Sequence, residues 1–109
     1  MEDNVLLAQA QDIIETFRSS VESNLSDSRD KQKLLELTDD LLATISDKVK
    51  VTNKILIEME KFYQSTSMII GLSLSDSKSG IYESWRAYDK FHFNHVKPNL
   101  TVYGNTFLM

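Results

Sequence analysis

Asp47-Lys48-Val49-Lys50 sits midway along residues 30–73, a stretch that reads as one helical pattern with no proline and no glycine before Gly71. Leu35, Leu42, Val49, Leu56, Tyr63 and Ile70 fall seven apart along it, and Ile45, Thr52, Met59 and Thr66 fill the complementary seam. A second apolar column, Leu34, Leu41, Ile55, Phe62 and Ile69, runs alongside and is interrupted at Lys48. Continuity of the pattern predicts a single helix over 29–73, roughly 60–65 Å long at 1.5 Å per residue. The apolar face is thinnest at Asp47–Lys50, where the expectation is a waist in the packing or a bend.

Outward from this rod, both flanks read as shorter helices. Asp3 or Asn4 can cap a first helix over 4–24, whose Leu7, Ala10, Ile14, Phe17 and Val21 keep a 3-4-3-4 spacing, broadened by Leu6 and Ile13. Its other face carries Asp12, Glu15, Arg18 and Glu22. Ser23 to Asp30 is dense in side chains that compete with the helical backbone, so it reads as a turn, with Ser26, Asp27 or Ser28 capping the rod. Ser73 to Gly80 is a second such break. A last helix over 80–96 takes in Ile81, Trp85, Tyr88, Phe91, His92 and His95. Pro98 is expected to stop it, because proline disfavours helical geometry in the residue before it. Residues 99–109 form a tail, docked or frayed, in which Leu100-Thr101-Val102-Tyr103 has strand character.

The chain has 109 residues, with Gly 3, Pro 1 and Cys 0, and a formal net charge of -4. That describes one small helical domain covering residues 1–98, near the size where oligomerisation supplies missing burial. Without cysteine, thiol chemistry, disulfides and cysteine-ligated metal centres are excluded. No apolar run approaches the roughly 20 residues of a membrane span, and the acidic opening Met1-Glu2-Asp3-Asn4 is unlike a secretory leader. The expected setting is cytoplasmic or nuclear, with no membrane insertion.

Helices joined by short loops pack as antiparallel neighbours. The first helix is therefore expected to lie along the front half of the rod and the third along its rear half. Such a slab is two helices thick and leaves apolar stripe in water, which marks an association surface. The expected fold is all-α: three antiparallel helices, coiled-coil-like, completed by oligomerisation into a bundle. The expected partner is a second copy or another helical subunit. The contact residues would be Leu35, Leu42, Val49, Leu56, Tyr63 and Ile70, with Trp85 and Tyr88 as aromatic anchors.

Other constellations carry less. Asp89, His92 and His95 share one helical face, but no fourth metal ligand accompanies them. Asp39-Asp40 and the Glu58/Glu60 pair point to different helical faces and read as solvated. Arg29, Lys31, Lys33, Lys48, Lys50 and Lys54 are interleaved with acids, so no nucleic-acid partner is expected. The serine-rich turns at 26–28 and 73–79 are possible phosphate acceptors whose plain reading is solvated turn chemistry. No phosphate loop or nucleophile–base signature appears, so neither a cofactor nor catalysis is expected.

Glu58-Met59-Glu60-Lys61, followed after the second break by Glu83-Ser84-Trp85-Arg86-Ala87-Tyr88-Asp89-Lys90-Phe91, resembles the long-helix end and following helix of the smallest synaptonemal complex central element proteins. The C-terminal tail departs from that family, and small subunits of kinetochore and organelle-tethering complexes fit the same pattern. No residue role is carried over. The function expected from the pattern is a non-catalytic scaffold subunit. The alternative is a monomeric adaptor that captures a peptide motif in a groove near Trp85.

Overall fold

The 29–73 pattern is two helices, not one. The computed structural model describes residues 3–25, 28–73 and 79–100. It contains α1 (Asp3–Asn24), α2 (Arg29–Ile45), α3 (Asn53–Ser73), α4 (Ser79–Phe91), a π turn (His92–Val96) and α5 (Lys97–Leu100). The longest axis of the molecule is 38 Å, too short for a rod of the expected length.

The break has a local cause. The α2 path closes with the Ser46 amide on the Leu42 carbonyl and the Lys48 amide on that of Ile45. Val49, 70 % exposed, and its charged neighbours offer nothing to bury, so a continuous helix would gain no packing there. Thr52 then restarts the chain as an N-cap, its Oγ1 accepting from the Ile55 amide at 3.2 Å. Ser28 caps α2 in the same way, accepting from the Lys31 amide at 3.1 Å. Ser26 and Asp27 lie outside the described residues.

Cross-contacts fix the directions of the helices. The Asp3 carboxylate accepts from the Val51 amide at 2.9 Å, which ties the start of α1 to the connection between α2 and α3. At the other end of α1, Gly80 lies against the Asn24 side chain, where an added Cβ would sit 3.1 Å from Nδ2, so α4 begins beside the end of α1. Glu60 meets His92, and Tyr63 meets Asp89, so α3 and α4 also run in opposite directions. Thus α1 packs on α2 and α4, α2 on α3, and α3 on the π turn and α5. The result is a four-helix, up-down-up-down arrangement in place of the expected three-helix slab.

Doubling back shelters the stripe inside one chain. Leu34, Leu41, Ile45, Ile55, Leu56, Met59, Phe62 and Ile70 join Ile14, Phe17, Val21 and Tyr88 in a single core. The apolar surplus that argued for obligatory association is largely used up within the molecule.

The C-terminal helix also departs from expectation, since its path continues beyond Pro98 to Leu100. In the π turn the Lys97 amide reaches back to the His92 carbonyl, five residues away. A proline inside an α-helix lacks a donor and clashes with the carbonyl four residues back. The wider turn just upstream accommodates that defect. Among the described residues there is no strand, and positions 101–109 lie outside them.

Candidate functional site

The residues expected to form an interaction stripe are divided by the fold. Leu56, Ile70, Trp85 and Tyr88 are buried, Leu35, Leu42 and Tyr63 are half-buried, and Val49 is exposed in the connection between α2 and α3. Trp85 is 8 % exposed, its ring enclosed by Phe17, Phe62, Tyr63 and Tyr88 at centroid distances of 5.2–6.0 Å. A peptide anchored there would have to displace those rings.

Among the described residues, one open feature is a groove along the outside of α2 and α3. Leu37, Leu41 and Phe62 line one end, beside Asp40 and Glu58. Met68 and Ile69 line the other, beside Arg29 and Lys33. Ser65 belongs to both, so the two ends are continuous. Met68 is 64 % exposed, a large apolar side chain facing solvent. Arg29, Lys33 and Asp40 make no ion pair among the described residues. Asp30 and Lys61 also line the groove, Lys61 lying 3.8 Å from Glu58, so an apolar floor is edged by a rim of mixed charge.

Behind it, between α3 and the C-terminal segment, lies a polar junction. His92 is fully buried: its Nε2 lies 2.8 Å from Glu60 Oε1 and its Nδ1 lies 3.0 Å from Tyr88 Oη. An ionised Glu60 can only accept, so Nε2 carries the proton and Nδ1 accepts from the Tyr88 hydroxyl. Gln64 and Lys97 donate to the other Glu60 oxygen at 2.6 and 3.2 Å. Tyr63 stacks on the His92 ring at 4.3 Å, donates to Asp89 at 2.6 Å, and lies under the Lys97 ammonium.

The electrostatics follow from these contacts. Burial pushes the Glu60 carboxyl up, but the bonds from His92, Gln64 and Lys97 together outweigh it and hold it below the usual carboxylate value. Burial lowers His92, with Glu60 only partly opposing, so the imidazole is neutral at pH 7. The bond to Asp89 and burial push the Tyr63 hydroxyl up to about 12. Burial, with the Glu60 charge, raises Tyr88 as well.

Each junction group is engaged by another protein group, and the central Glu60, His92 and Tyr88 are buried. The arrangement fixes the register of the C-terminal segment against α3. The reading of Glu60 as a solvated residue is corrected, because its side chain is only 5 % exposed. The sequence did carry a signal: Glu60 lies four residues after Leu56 and three before Tyr63, on the face turned toward α4. Asp89, His92 and His95 have separate partners, Tyr63, Glu60 with Tyr88, and the Phe91 ring respectively. Among the described residues, no cluster of three or more His, Cys, Asp or Glu side chains could hold a metal ion. No helix among them is long and apolar enough to cross a membrane.

No protein-family model matches the chain, and no curated protein or solved structure matches it.

Proposed function

We propose that this protein is a non-catalytic helical subunit that contributes the outer face of α2 and α3 to a larger protein assembly. The observation that carries this reading is the groove with Met68 exposed at one end and Leu37 half-buried at the other, rimmed by the unpaired charges of Arg29, Lys33 and Asp40. An apolar floor with a charged rim suits the packing of another helix, whose own apolar side chains would seat between α2 and α3. The partner is a helical protein surface, a second copy or a different subunit, and no cofactor takes part.

The test is retention of the native assembly by single substitutions on opposite sides of the bundle. Met68→Glu places a charge in the groove, and Arg86→Glu alters an exposed position on α4. Co-purification of the assembly with the tagged full chain should fall at least about tenfold for the first and stay unchanged for the second. Equal melting temperatures would show that neither variant acts through unfolding. Loss on Arg86→Glu with retention on Met68→Glu would place the contact elsewhere and end this reading.

A further inference from the structure

The charge on the rim of the groove is arranged so that the face complements itself. Arg29, Lys33, Leu37, Asp40 and Thr44 follow one another on α2 at spacings of four, four, three and four, a single stripe along the groove side of the helix. The stripe begins with two cations, Arg29 and Lys33, which outweigh Asp30 beside them, and turns acidic at Asp40, while across the groove Glu58 is offset by Lys61 at 3.8 Å. Lys33 and Asp40 lie seven residues apart, about 10 Å along the helix, with Leu37 between them.

Building on the proposed use of this face, we infer that its occupant is a second copy of the chain, with the two α2 helices antiparallel about a two-fold axis near Leu37. Lys33 of each copy then meets Asp40 of the other, and both pairs form at once because a two-fold interface repeats every contact. Parallel packing would set Lys33 against Lys33 and Asp40 against Asp40, so the charges select the antiparallel sense. Leu37 lies next to its own copy at the axis, and Met68 of each copy finds apolar cover across the groove.

Mixing charge-reversed chains tests the inference. By sedimentation equilibrium, the full-length wild-type chain should be a dimer in the micromolar range. Lys33→Glu alone sets two acids against each other at both ends of the pairing, and Asp40→Lys alone does the same with two cations. Each should weaken the dimer by about tenfold or more. An equimolar mixture of the two variants should recover association as a heterodimer, since every contact is then between opposite charges. The doubly substituted chain, Lys33→Glu with Asp40→Lys, should also dimerise with itself.

A wild-type chain that stays monomeric at 100 µM would overturn the inference, on the scale set by affinities of weak but specific contacts. So would a dimer indifferent to both reversals, or two variants that fail to rescue one another. These failures are separable from failure of the broader reading. A monomer whose Met68→Glu variant still drops out of its native assembly keeps the groove and loses only the second copy as occupant. A dimer unaffected by Met68→Glu loses both.

Discussion

α2 and α3 carry the same seven-residue repeat yet are buried differently. The fully sheltered line of α2 is narrow, Leu34, Thr38, Leu41 and Ile45, with Leu35, Leu37 and Leu42 only half-covered at its margins. α3 is sheltered on two sides: it packs against α2, and it meets α4 and the π turn through Glu60, Phe62 and Tyr63. The second of those sides is where the core turns polar. A periodic sequence thus reports which face of a helix is buried, while the neighbours decide how deeply and in what chemistry. The shallow helix retains surface for other proteins; the deep one holds the fold in register.

The contrast can be broken first on its apolar side. Phe17 is fully buried and its ring meets Trp85 at 5.2 Å. Phe17→Ala removes that packing where the surrounding helices can only partly collapse, and should cost about 3–5 kcal/mol in urea unfolding. In a domain this small, such a loss approaches the whole stability. A cost below about 1 kcal/mol would mean that α1 and α4 do not meet through this ring.

On the polar side, Glu60→Ala leaves Lys97 without its carboxylate and strips a buried hydrogen-bond acceptor from His92. The expected cost is about 2–4 kcal/mol, somewhat less than for Phe17→Ala because Lys97 is 40 % exposed and can regain water. Changing Glu58 to Ala, two residues earlier on the groove side, should cost under about 0.5 kcal/mol, since its contact with Lys61 is a long surface pair of 3.8 Å. Equal effects at the two glutamates would erase the distinction between the buried and open sides of α3.

Acid should act on the same junction before it reaches anything else described in the core. Burial lowers the His92 pKa below its usual 6.5, so the unfolded chain takes up that proton first. Stability is therefore full above about pH 6.5 and declines as the pH falls toward the depressed folded value. Glu60, held below its usual 4.5 in the fold, adds a second loss as the pH drops through and below that range. The charges facing the pair are Lys97 and Asp89, and Tyr63 stays protonated throughout this window. Urea midpoints from pH 8 to 4 should fall in the wild-type chain, and His92→Gln should flatten the upper part of the slope. A midpoint that rises on acidification would contradict the sign.

Much of the packing was legible from the repeat. The columns through Leu34, Leu41, Ile55 and Phe62, and through Ile14, Phe17 and Val21, do face the core. The weak point was legible in the thin stretch Asp47–Lys50 and the interruption at Lys48, but a full break was not, because Val49 keeps the phase of Leu42 and Leu56. Periodicity records orientation about a helix axis; it does not record whether two halves share one axis. That depends on what residues 46–52 would bury, and on Thr52 as a cap, features that compete with the pattern without disturbing it. Glu60 was missed for a different reason: a lone carboxylate on a half-apolar face looks solvated until His92 and Lys97, far along the chain, are brought beside it. The stripe through Lys33, Leu37 and Asp40 has helical spacing in the sequence, but it becomes the wall of a groove with Met68 only once α2 lies against α3.

Thr66 offers the finest test of how the two chemistries of α3 are divided. It sits in the seam between Phe62 and Ile70, fully buried, and its hydroxyl has no hydrogen-bond partner among the described residues. Thr38, at the matching position of α2, donates to the Leu35 carbonyl at 2.9 Å and is satisfied. A hydroxyl removed from water without a partner is a net loss, which a methyl group of similar shape avoids. Thr66→Val should therefore raise stability by about 1 kcal/mol, while Thr38→Val should be neutral or mildly destabilising. Their thermal midpoints should move in opposite directions, or at least separate by a few degrees. If both valines destabilise alike, Thr66 has an acceptor in solution and the polar territory of α3 extends one turn beyond Glu60 into the apolar seam.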